Sequence, residues 1–97
     1  MATLRYADLA LADIASIYQY ISEENTPAAE DVLAGLTDAF EQIADTPGMG
    51  RERDEFGKTI RSFPAKKYVI FYEVIDGGVM ILRVWHGSRD IRRIEFS

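Results

Sequence analysis

Apolar residues recur at helical spacing through the first half of the chain and alternate through the second. Thr3–Ala7 predicts a short opening strand. From Asp8 the spacing becomes helical: Ala10, Ile14, Ile17 and Ile21 share one face. Leu11 and Tyr18 widen that face on one flank, Leu9 and Tyr20 on the other. Asp8 is the expected N-cap, because its carboxylate accepts from the first free N–H groups. The helix should fade at Glu23-Glu24-Asn25 and restart at Thr26-Pro27, with Thr as N-cap and Pro in the first turn. Ala29, Leu33, Leu36, Phe40 and Ile43 form the second stripe, closed by Pro47-Gly48. Two amphipathic helices with so short a connection predict an antiparallel helical hairpin over about residues 8–46.

After Pro47 the pattern changes. Residues 47–58 read as a loop. Thr59–Phe63 is a candidate strand that Pro64-Ala65 should break. Lys67–Ile75 and Val79–Trp85 are strands joined at Asp76-Gly77-Gly78, a hairpin turn. Both strands are apolar on both faces, so something besides the helical hairpin must cover the second face, or that face binds a partner. The sheet occupies about residues 59–86 and a basic tail follows over 87–97. The expected architecture is β-α-α-β-β-β, one α+β domain with the helical hairpin packed on an antiparallel sheet.

The chain has 97 residues, 47% hydrophobic and 28% charged, enough for a single core. It lacks cysteine, which excludes disulfides and thiolate metal sites. With one histidine, a metal site would rest on carboxylates, and no metal or cofactor is expected. No apolar run approaches the roughly 20 residues of a spanning helix, and no signal-peptide core is evident. A cytoplasmic location is expected.

The net charge of −5 speaks against a nucleic-acid binder. It is unevenly spread. Residues 1–50 hold one basic residue and nine acids, leaving −8, while residues 51–97 hold ten basic residues and seven acids, leaving +3. Such a division marks either two solvated surfaces or an acidic face and a separate basic working face.

Four segments, in this order, resemble the ParE branch of the RelE/ParE toxin superfamily of type II toxin–antitoxin systems. They are Ala10-x-x-x-Ile14-x-x-Ile17-x-x-Tyr20-Ile21; Pro47-Gly48-Met49-Gly50-Arg51; Ile60-Arg61-Ser62-Phe63 running into Tyr68–Val74; and Ile81–Trp85 followed by His86-Gly87-Ser88-Arg89-Asp90. The resemblance implies a toxin held inactive by a ParD-like antitoxin. The antitoxin's disordered C-terminal part would fold across the helical hairpin and sheet. When free, the toxin would poison DNA gyrase without chemistry of its own. The sister RelE-like branch cleaves mRNA on the ribosome, which is the alternative function. A third possibility is a non-toxic paralogue that only binds an antitoxin.

In the nuclease reading, His86 is the general acid or base and Arg61 and Arg83 stabilise charge on phosphate. RelE-like nucleases usually add clustered lysines and arginines and a C-terminal tyrosine. No tyrosine follows Tyr72, so that set is incomplete. His86 otherwise anchors the turn into the tail. Arg61 and Arg83 otherwise pair with Glu73 or a tail acid. The candidates for target contact are Arg83, His86, Arg89, Arg92 and Arg93, the tail arginines being otherwise solvated. The candidates for antitoxin contact are Leu9, Leu11, Tyr18, Tyr20 and Arg61. Gly48-Met49-Gly50 follows a helix and lacks the rest of a phosphate loop. A basic excess of three suits recognition of a protein better than a grip on ribosomal RNA, and no sequence-specific nucleic-acid binding is expected.

Overall fold

The computed structural model describes residues 2–97. Its elements are β1 (Thr3–Tyr6), α1 (Asp8–Ser22), α2 (Thr26–Asp45), β2 (Arg51–Glu52), β3 (Ile60–Ala65), β4 (Tyr68–Ile75) and β5 (Gly78–His86). Short 3-10 turns occupy Pro47–Met49 and Ile91–Arg93. The five strands form one sheet in the order β1-β5-β4-β3-β2. The α+β class and the helical hairpin are as expected. The sheet is mixed rather than wholly antiparallel, because β1 pairs parallel with β5. No helix is long and apolar enough to cross a membrane.

The helix starts differ from expectation by one residue each. Ala7 is the N-cap of α1 and offers no side-chain bond, so Asp8 is already the first helical residue. Its charge still faces the positive helix end. Asn25, not Thr26, caps α2: its side chain accepts from the Ala28 N–H at 3.0 Å. The buried stripe of α2 runs through Ala29, Leu36, Ala39, Phe40 and Ile43. Leu33 lies outside it and is exposed, while Val32 packs against the core instead.

Pro64 does not break β3. It stays in the ladder opposite Val69. Strand β2 covers only Arg61 and Ser62, so Pro64 lies on an open edge where its missing N–H is tolerated. The β4–β5 turn is the two residues Asp76 and Gly77, with Gly77 at φ +77. Gly78 already belongs to β5, opposite Ile75.

One irregularity sorts the side chains of β5. Phe71 lies opposite Arg83 and Tyr72 opposite Ile81, so Leu82 is an extra residue, a β-bulge. Val79 and Ile81 point to the helices before it, and Val84 does so after it. An even-numbered residue has taken over the helix-facing role. The bulge therefore places His86 on the helix side and Trp85 on the opposite face.

The core has two parts. On the helix side Phe40, Ile43, Ile70, Tyr72, Val79 and Ile81 are fully enclosed, with Tyr6 edge-on to Phe40. On the other face Ile60, Phe71, Trp85 and Ile94 form a second cluster with Phe56, Ile91 and Phe96. The tail is thus the missing cover for the second face, not a free basic extension. Its apolar residues at 91, 94 and 96 fold back over Phe71 and Trp85.

Candidate functional site

Arg83 is bound on three sides. Its Nε and Nη2 donate to the two carboxylate oxygens of Asp13 at 2.8 and 2.9 Å. Its Nη1 donates to the Glu95 carbonyl in the tail. Asp13 also accepts from the Val84 N–H at 3.0 Å. Strand β1 pairs with β5 only as far as Ile81, so beyond it the Asp13 carboxylate stands in for a strand partner. Both side chains are nearly buried, at 11% and 13% exposure. The Asp13 hydrogen bonds hold the Arg83 guanidinium above its already high ordinary pKa. The partner expected from sequence was Glu73 or a tail acid. The partner found is a helix acid, and the tail contributes a backbone carbonyl.

Arg61 is bound to the α2–β3 connection. Its Nη1 donates to the carbonyls of Gly50 at 2.7 Å and Gly48 at 3.3 Å, and its Nη2 pairs with Glu52 at 3.3 Å. Beside it the buried Tyr72 hydroxyl donates to the Pro47 carbonyl at 2.6 Å and accepts from the Gly50 N–H at 2.9 Å. Burial pushes the Tyr72 phenol above its ordinary pKa, so it stays protonated and able to donate. A Cβ on Gly50 would lie 2.3 Å from that hydroxyl, which is why the connection needs glycine there. Replacing Tyr72 with Phe should cost about 1–3 kcal/mol, since a buried carbonyl and N–H lose their partner. A urea melt measures this as a lower midpoint at unchanged slope.

His86 bonds within its own turn. Its Nδ1 accepts from the Ser88 N–H at 3.1 Å and contacts the Ser88 hydroxyl at 2.7 Å. Its ring meets Tyr68 edge-on, with centroids 5.3 Å apart. Among the described residues no hydrogen bond or ion pair joins any two of His86, Arg61 and Arg83. The groove that His86 lines includes neither arginine.

His86 instead lines a groove of about 680 Å³ between the helical hairpin and the β3–β4 turn. Its apolar floor is Ile21, Val32, Leu36, Ala39 and Phe63, and its rim carries Tyr20, Lys66 and Lys67. Tyr20 is 80% exposed. Of the other antitoxin candidates, Leu9 and Tyr18 are half-buried and do not line this groove. Leu11 is 51% exposed, but nine residues from Tyr20 it lies on the opposite flank of α1. Arg61 is held by the connection.

The tail arginines divide. Arg89 stacks on Trp85, its guanidinium carbon 3.9 Å from the ring centroid. Arg92 pairs with Asp90 at 3.0 Å and is otherwise exposed. Arg93 is exposed. The residues that sequence reasoning missed are Asp13, Lys66, Lys67, Tyr68 and Arg53. Arg53 bonds Ser62 and sits over Phe56 and Phe71. Only the Lys66-Lys67 doublet after Pro64-Ala65 carried a readable signal, that of a charged turn. Among the described residues no group of three or more His, Asp or Glu is placed to hold a metal ion.

The chain resembles known proteins in sequence and in fold. The family model described as the ParE toxin of the type II toxin–antitoxin system parDE matches residues 4–91. Toxin RelE2 of Caulobacter vibrioides is 34% identical over 89 residues, covering 92% of this chain and 99% of that protein. A chain of the chromosomal ParDE toxin–antitoxin system from P. aeruginosa superposes with a TM-score of 0.74 at 19% identity, covering 89% of this chain and 96% of that one. That likeness is one of fold. With the family model spanning all but the chain ends and a curated toxin matching nearly end to end, the chain belongs to the ParE family of type II toxin–antitoxin toxins.

Proposed function

We propose that this toxin acts by binding rather than by catalysis, inhibiting DNA gyrase when it is free of a ParD-like antitoxin. One observation carries the choice: Arg61 and Arg83 are both committed to holding the fold, so the nuclease set loses its charge stabilisers. The groove beside α2 is the seat assigned to the antitoxin. Its apolar floor, open mouth and size suit an amphipathic helix. Purified toxin is expected to block gyrase supercoiling, to trap cleaved DNA, and to arrest growth when expressed without antitoxin. Intact supercoiling at a large excess of toxin would overturn the assignment.

The second reading is a RelE-like ribosome-dependent ribonuclease. The relative named RelE2 favours it, as does the placing of Tyr68, Lys66 and Lys67 around the same groove as His86. His86→Ala separates the two. Under the binding reading the variant keeps its growth arrest. Under the nuclease reading it loses activity by about a hundredfold or more, the range for a lost acid–base group.

A further inference from the structure

Two turns meet at one end of the sheet. Lys66 and Lys67 join β3 to β4, and Gly87 and Ser88 lead from β5 into the tail. The Gly87 N–H donates to the Lys67 carbonyl at 2.8 Å and binds the two turns together. Lys66, Lys67 and Arg89 are all exposed here. Among the described residues no carboxylate pairs with any of the three, whereas Arg53, Arg61, Arg83 and Arg92 are each neutralised by a neighbour. Part of the positive excess of the second half is therefore gathered, unneutralised, at this end.

Arg89 is held in place before any partner arrives. Its guanidinium lies on the Trp85 ring, the Trp85 Nε1–H donates to its carbonyl at 3.3 Å, and its own N–H donates to the His86 carbonyl at 3.0 Å. A guanidinium stacked on an indole keeps its N–H fork for a planar acceptor. Much of its rotamer freedom is already lost, so less is lost on binding. Arginine is among the residues enriched at the anchoring points of protein interfaces, and the buried Trp85 ring supports this one from below.

We propose that this end of the sheet docks an acidic segment of a protein partner, with Arg89 as anchor and Lys66 and Lys67 as flanking charges. A phosphate backbone is held by many cations along its length, and three at one end of the sheet are few for that but enough for a short run of protein carboxylates. The proposal rests on the toxin reading only in making that partner the toxin's target. Lys66 and Lys67 also line the groove, so an antitoxin seated there would cover both flanking charges, while Arg89, stacked on Trp85, lies outside it.

The test uses the free full-length chain and a synthetic 14-residue Asp/Glu-rich peptide at low salt. Trp85 is the only tryptophan, so its fluorescence and indole N–H resonance report on this end alone. Binding should shift those signals and the amides of residues 66–68 and 86–89. Lys66→Glu with Lys67→Glu, and separately Arg89→Gln, should each weaken binding at least tenfold at unchanged melting temperature. Lys58→Glu, elsewhere on the surface, should leave it unchanged. Absent shifts, an equal loss with Lys58→Glu, or tighter binding of an oligothymidine of equal charge would overturn the proposal. A failed gyrase assay leaves this peptide result standing, so the two readings fail separately.

Discussion

Arg83→Ala should destabilise the protein by about 3–5 kcal/mol, the range for removing one member of a nearly buried ion pair. The cost arises because Asp13 stays behind, 13% exposed, with its charge no longer balanced. The Glu95 carbonyl loses its donor in the same change, so the tail loosens from the sheet. Asp13→Ala should be comparably severe, since it strands both Arg83 and the Val84 N–H. Removing both side chains should cost less than the sum of the single losses, which a double-mutant cycle by chemical denaturation measures directly. Strict additivity would mean that the pair contributes nothing as a pair. Hydrogen exchange should also speed at residues 91–96 in Arg83→Ala, ahead of the strands.

Gly78→Ala should cost about 3 kcal/mol, at or beyond the upper end of ordinary overpacking. A Cβ at Gly78 would stand 1.8 Å from the Thr3 carbonyl oxygen, and a backbone atom cannot swing aside as a side chain can. Strand β1 must leave β5, and with it go the parallel pairs from Thr3 with Gly78 to Tyr6 with Ile81. The measurable signs are a fall in thermal midpoint and early amide exchange over residues 3–6. Gly77→Ala is the contrast: its nearest neighbour is 4.0 Å away, and the strain there comes from φ +77 alone.

How much of this was legible in the sequence depends on the range of the interaction concerned. The helical hairpin, the Asp76-Gly77 turn and the long strands were readable because periodicity and turn chemistry act over a few residues. The partner of Arg83 was not, because Asp13 is 70 positions away on a helix and no local pattern links the two. The tail was misread for a related reason. Its arginines suggest a solvated basic segment, yet Ile91, Ile94 and Phe96, interspersed with charged residues, cover the second face. The orientation of His86 depends on the bulge at Leu82, and no local pattern announces an extra residue in an otherwise alternating strand. At the site itself, the element order and family resemblance reached the fold and the toxin class. They did not show that Arg61 and Arg83 are occupied, which only their partners in space reveal.

The pairing of the first strand with the last also sets an order of events during synthesis. Residues 3–6 leave the ribosome early but find their neighbours only when residues 78–81 follow. Until then the helical hairpin exists without its sheet, and the apolar stripe from Ala29 to Ile43 has only α1 to cover it. Closing so long a loop is slow compared with forming a helix. Until residues 78–81 have emerged, the nascent chain therefore lacks the partner of β1 and the finished sheet against which the hairpin packs.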